Sequence, residues 1–124
     1  MKEIKDELRR LANEFAPSLC ELGDSVSDKS FARGAAITSA NSNSKDPFGQ
    51  IRGLALRRGT VIADLPESGE VAAIIKGGAA KMNPVLFVAL VSGGKIRMGA
   101  YAKEGLIHQH SSQKLLDEFA GALE

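Results

Sequence analysis

The sequence feature that most constrains the fold is the apolar run Val85 to Val91, which the turn residues Ser92-Gly93-Gly94 follow. Successive side chains of a strand leave on opposite faces of the sheet, so a strand is apolar throughout when both faces are covered. The run is far shorter than the roughly 20 residues of a membrane-spanning helix. We therefore predict a central strand with a packing layer on each side.

The segment after that turn alternates between apolar and polar side chains, as a strand with one buried face does. The positions expected to face inward are Ile96, Met98, Ala100 and Ala102, and those expected to face outward are Lys95, Arg97, Tyr101 and Lys103. The two runs together predict a hairpin.

Amphipathic spacing predicts a helix at each end of the chain. The apolar stripe of the first is Ile4, Leu8, Leu11 and Phe15, and that of the last is Leu115, Leu116, Phe119 and Leu123. Pro17 interrupts the first helix or kinks it, and Gly23-Asp24 reads as its end. Ser111 or Ser112 is the expected N-cap of the last helix.

The middle of the chain predicts a second hairpin and a third helix. Residues 51–56 and 60–65 are β-prone runs on either side of Arg57-Arg58-Gly59. Residues 68–82 carry a helical stripe, in which Gly77-Gly78 costs roughly 1 kcal/mol per glycine relative to alanine. A short strand is expected at 35–40, and a surface loop at 41–47. The expected fold is thus α+β, with an antiparallel or mixed sheet of two hairpins packed by three helices.

Length and composition narrow the class of protein further. A chain of 124 residues suffices for one domain, which we expect to span residues 1–124. With one cysteine, Cys20, neither a disulfide framework nor a cysteine-based zinc site is expected. The charged N-terminal segment is unlike a secretory signal, so a cytoplasmic location without membrane insertion is expected.

Candidate catalytic and metal-binding residues are few. His108 and His110 lie two apart and would leave one face of an extended segment, but no third ligand is obvious nearby. Glycines of a phosphate cradle precede a helix, whereas those of Lys76-Gly77-Gly78 fall late in a predicted one. We therefore expect no metal and no cofactor, and a small enzyme with a site near the two histidines is an outside alternative.

Basic residues give the best local signal for a binding surface. They fall in the two predicted hairpins, and the residues are Arg52, Arg57, Arg58, Lys95, Arg97, Tyr101 and Lys103. Basic side chains with one aromatic can hold a nucleic-acid backbone and stack a base. A solvated sheet face also carries long charged side chains, and the net charge is only +1, so this simpler interpretation is favoured.

Residues 59–124 resemble the C-terminal domain of alanyl-tRNA synthetases and related phosphoesterases. The resemblance lies in the run Gly59–Leu65, the predicted helix 68–82, the strand Val85 to Val91, the Gly93-Gly94-Lys95 turn and the closing helix. It implies a module that grips tRNA or promotes dimerisation.

A second resemblance competes with the first. A helix, then Arg52 to Arg57, a turn, Thr60 to Leu65 and a further helix resemble the opening of a roadblock domain. It implies a non-catalytic dimeric platform for small GTPases or for motor and signalling complexes. Taken together, the sequence predicts a non-catalytic binding and assembly module that homodimerises or binds another protein, with structured-RNA binding as the alternative.

Overall fold

The computed structural model describes residues 3–15, 26–75, 84–103 and 111–123, and these residues form helices, strands and one 3₁₀ turn. The helices are α1 (Ile4–Glu14), α2 (Asp28–Gly34), α3 (Pro47–Arg58) and α4 (Ser111–Leu123). The strands are β1 (Ala35–Asn41), β2 (Gly59–Leu65), β3 (Glu70–Ile75), β4 (Val85–Ser92) and β5 (Lys95–Tyr101), and a 3₁₀ turn, Pro66–Ser68, joins β2 to β3.

The five described strands form one sheet in the order β1-β5-β4-β3-β2, in which every neighbouring pair is antiparallel. This confirms the α+β class. The described part of the chain has five strands and four helices, however, rather than the predicted two hairpins and three helices.

Helices cover both faces of the sheet, as the apolar run on β4 predicts. Leu86, Val88 and Leu90 belong to one core with α1, and their face is called the α1 face below. Phe87 and Ala89 belong to a second core with residues of α3 and α4, on the face called the α3 face below. Because both sets of side chains are buried, β4 is the central strand.

The predicted strand at 51–56 is wrong, because these residues belong to α3. The Asp46 side chain caps this helix by accepting a hydrogen bond from the Gly49 backbone N–H at 3.0 Å, and Pro47 occupies the first turn. Ile51 and Ala55, one turn apart, are the buried residues of α3. A helix spacing and a capping signal were therefore present in the sequence.

The predicted helix at 68–82 is also wrong where the structure describes it, since Glu70–Ile75 is β3. Residues 76–82, with Gly77-Gly78, lie outside the described residues. β3 is covered on both faces, so its side chains form a continuous apolar run. Such a run fits the period of a helix as well as that of a strand. Gly69, at a φ of 70°, turns the chain from the 3₁₀ turn into β3, so the first hairpin is β2–β3.

The other predicted elements are confirmed, with one error of orientation. Helix α1, strands β1, β2, β4 and β5, and helix α4 occupy the expected segments. The expected continuation of the first helix toward Gly23 lies outside the described residues. On β5 the inward positions, from Ile96 to Ala102, are buried as predicted. Tyr101, expected to face outward to solvent, is fully buried.

Candidate interaction surfaces

The three arginines predicted as contact residues at 52–58 lie on α3 rather than on a hairpin. Arg52 Nε lies 2.7 Å from the Asp64 carboxylate of β2. Arg58 forms an ion pair with Glu118 of α4, and its guanidinium lies over the Phe119 ring, 5.9 Å from the centroid. Two of the three arginines therefore tie α3 to its neighbours, while Arg57 is exposed at the helix end.

The contact residues predicted around β5 lie at different depths. Lys95, at the start of the strand, is exposed, and Arg97 and Lys103 are half-buried. Tyr101 packs under α2, where its ring stacks on Phe31 with the centroids 5.7 Å apart. A nucleic-acid base cannot stack on a ring in this position.

The two basic groups do not form one surface. Arg97 and Tyr101 leave β5 on the α1 face, because Tyr101 belongs to the core under α1 and side chains alternate along the strand. The arginines of α3 lie in the layer on the opposite face. The structure thus places on opposite faces of the sheet two groups of residues that the sequence predicted as one set of contact residues.

The β2 edge carries two of the three large apolar side chains that are strongly exposed among the described residues. Leu56 of α3 is 48 % exposed, and Leu65 at the end of β2 is 45 % exposed. Arg52 and Leu56 are one helical turn apart and share a stripe of α3. Because Arg52 reaches Asp64 of β2, this stripe borders the edge strand. We call Leu56 together with Gly59–Leu65 the β2 edge surface.

The opposite edge of the described sheet is β1, which pairs with β5 in an unbroken register over all seven residues. Ala36 and Ala40 pack on the α3 face, so the alternate residues Ile37, Ser39 and Asn41 point to the α1 face. These three are exposed, and Ile37 is 44 % exposed. Sequence reasoning placed the strand correctly but did not identify this edge as a surface.

A charged cluster that the sequence analysis did not identify lies on the flank of α1 that faces Glu70 of β3. Arg10 Nε is 2.5 Å from the Glu7 carboxylate, which is buried, and Arg10 also pairs with Glu14 at 3.1 Å. The hydrogen bond that Arg10 Nε donates to Glu7 raises the pKa of Arg10 despite the opposing effect of burial, and attraction to Glu7, Glu14 and Glu70 raises it further. Glu70, expected at the start of a helix, is instead a fully buried residue of β3.

The described residues offer no metal site and no helix suited to a membrane. Within ranges 3–15, 26–75, 84–103 and 111–123, no three His, Cys, Asp or Glu side chains are grouped to hold a metal ion. His108, His110 and Cys20 lie outside those ranges. No helix in the described part of the chain is long and apolar enough to span a bilayer. One open depression of about 470 Å³ is lined by residues 64–68.

Comparison of the chain with protein-family models, with curated proteins and with solved structures found no match.

Proposed function

We propose that this protein is a non-catalytic binding and assembly module that homodimerises through the β2 edge surface. The observation that carries the proposal is the position of Leu56, an exposed apolar side chain beside an edge strand. The dimer and the cytoplasmic location are both predictions from the sequence, and we include them in the proposed function.

The composition of β2 favours pairing with another strand. An edge strand is commonly protected from association by charges or proline, yet residues 59–63 contain neither. The one charge of the strand, Asp64, is neutralised by Arg52. A bulge between Val61 and Ala63 confines regular pairing to parts of the strand, so α3 must supply contact area as well.

A twofold arrangement would use both parts of the β2 edge surface. Antiparallel pairing of β2 with its symmetry mate would continue the sheet from one copy into the next, as an isologous interface requires. The two α3 helices would then lie side by side on the same face, with Leu56 of each copy removed from water. Burial of the exposed half of each leucine would contribute about 1 kcal/mol per copy.

Sedimentation of two matched variants tests the proposal. Leu56→Glu places a charge in the proposed interface, while Ile37→Glu makes the same change at a similarly exposed residue on the opposite edge. We expect the parent chain and Ile37→Glu to be dimers at high micromolar concentration and Leu56→Glu to be a monomer. A monomeric parent chain, or a Leu56→Glu variant that remains dimeric, would contradict the proposal.

Support for the alternative, RNA binding, is weaker because Tyr101 is buried and the basic residues lie on opposite faces. A salt titration with a structured RNA separates the two functions. Phosphate contacts would give an affinity that falls steeply with salt, whereas the proposed module should have no RNA affinity.

A further inference from the structure

We propose that the β1 edge binds an extended segment of a partner protein, in which two acidic residues at alternate positions precede an apolar residue. The receiving surface consists of Ile37, Ser39 and Asn41 on β1 with Arg97 and Lys95 beside them on β5, and we call it the β1 edge surface. It lies at the far edge of the sheet from the β2 edge surface, so it is independent of the proposed dimer.

The register of the sheet places apolar and basic groups in a defined order along this surface. Ile37 is opposite Gly99, over which Ile4 and Leu8 of α1 pack, and Ile37 itself is 44 % exposed. Ser39 is opposite Arg97, and Asn41 is opposite Lys95. Directly paired residues of antiparallel strands share a face. The surface therefore begins with an apolar position and continues with two positions that each have a cation on the next strand.

Helix α1 adds Lys5 to the positive charge on this side, whereas the charge of Arg9 on the same flank is balanced by its ion pair with Asp28. Arg9 contacts the Val26 carbonyl and the Asp28 carboxylate, and α2 leads directly into β1, so the flank of α1 that bears Arg9 faces the β1 side. The exposed Lys5 lies one turn before Arg9 on that flank.

The acidic side of α1 faces the other way. Arg10 and Glu7 are hydrogen-bonded to each other, and Arg10 is close enough to Glu70 of β3 to be stabilised by its charge. The α1 face is thus acidic toward β3 and basic toward β1. This polarity selects an acidic rather than a basic partner segment.

Backbone pairing would supply the remaining affinity. β1 contains neither a charge nor a proline, and its unbroken register with β5 presents a regular edge. An added strand lies about 4.8 Å from β1, with alternate side chains on the α1 face. Every strand pair in the sheet is antiparallel, so the added segment is placed antiparallel, with its acidic residues opposite Asn41 and Ser39 and its apolar residue opposite Ile37.

A labelled peptide tests the proposal on the full chain by fluorescence anisotropy. The probe is acetyl-Thr-Glu-Thr-Glu-Thr-Ile-Thr-amide, and a second peptide carries lysine in place of both glutamates. We expect the acidic peptide to bind and the basic one to bind at least tenfold more weakly. The double variant Lys5→Glu/Lys95→Glu should weaken binding of the acidic peptide at least tenfold, while Lys114→Glu on α4, in the opposite layer, should leave it unchanged.

N-methylation distinguishes strand addition from attraction between charges alone. Only every second N–H of an added strand points toward β1. Methylation of one alternate set of peptide nitrogens should therefore abolish binding, and methylation of the other set should preserve it. Equal effects of the two sets, absence of binding, or insensitivity to Lys5→Glu/Lys95→Glu would overturn the proposal.

The two proposals fail separately. Leu56→Glu should dissociate the dimer and leave peptide affinity unchanged, because the β1 edge surface is intact in a monomer. If Ile37→Glu instead dissociates the dimer, a second copy occupies the β1 edge and the peptide proposal is wrong.

Discussion

The Tyr101 hydroxyl lies 2.7 Å from Ser30 Oγ, and this hydrogen bond ties the last residue of β5 to α2. It accounts for the burial of a residue whose alternation with its neighbours predicts a solvent-facing side chain. The Tyr101 ring stacks on Phe31, and the Arg9 guanidinium lies 5.0 Å from the Phe31 centroid on the way to α1. The group thus connects β5, α2 and α1 into one side of the molecule, next to the β1 edge surface.

Tyr101→Phe should destabilise the protein by about 1 kcal/mol, because it removes this hydrogen bond and preserves the ring packing. Ser30→Ala should have a similar effect, measured by urea denaturation. If the hydrogen bond between the two hydroxyls accounts for the loss of stability, the double variant will lose clearly less stability than the sum of the losses of the two single variants. Strictly additive losses would show that the two hydroxyls act independently.

Gly69→Ala should destabilise the protein more than Gly93→Ala, although both glycines have a positive φ. A Cβ at Gly69 would lie 2.3 Å from the Val91 carbonyl oxygen, whereas a Cβ at Gly93 would meet nothing within 4 Å. We expect about 1 kcal/mol for Gly93→Ala from backbone strain and at least about 2 kcal/mol for Gly69→Ala. Thermal unfolding of the two variants measures the difference, and equal losses would contradict it.

The sequence predicted α1 and β4 correctly, the first from its period and the second from its length and the turn residues that follow it. In α1 the buried Ile4, Leu8 and Leu11 recur at helical spacing, and β4 is apolar on both faces in a length that suits a strand. The two errors of element type fall on α3 and β3. In β3, Val71, Ile74 and Ile75 fit a helical stripe as well as a strand buried on both faces. Only the pairing with β2 and β4 determines that this segment is a strand.

The candidate surfaces depended on those assignments and were predicted less well. Placing 51–56 on a strand put Arg52 and Leu56 on a hairpin, where neither the bridge from Arg52 to Asp64 nor the exposed Leu56 beside β2 could be foreseen. The edge positions of β1 and β2 follow from a strand order that no local pattern encodes. Tyr101 was wrongly predicted to face solvent. Alternation of apolar and polar residues along β5 indicates one covered face, whereas helices cover both faces of the sheet at this point.

Asp46→Ala should lower stability by about 1 kcal/mol, because it removes the side-chain oxygen that accepts from the Gly49 N–H at the start of α3. Asp46→Asn retains a capping oxygen and should cost much less. Urea denaturation compares the two variants. Equal losses would mean that the charge at this helix end matters and the cap does not.

Arg10→Met should destabilise the protein by about 1–3 kcal/mol at neutral pH, because it leaves the buried Glu7 carboxylate without its 2.5 Å partner and removes a cation close to Glu70. Methionine retains much of the aliphatic stem, so the loss reports on charge more than on packing. The matched control is Arg57→Met, at an exposed residue of α3, which should change stability by no more than about 0.5 kcal/mol. Chemical denaturation of both variants provides the comparison. Similar stabilities for the two would show that the charge of Arg10 contributes little to the stability of the protein.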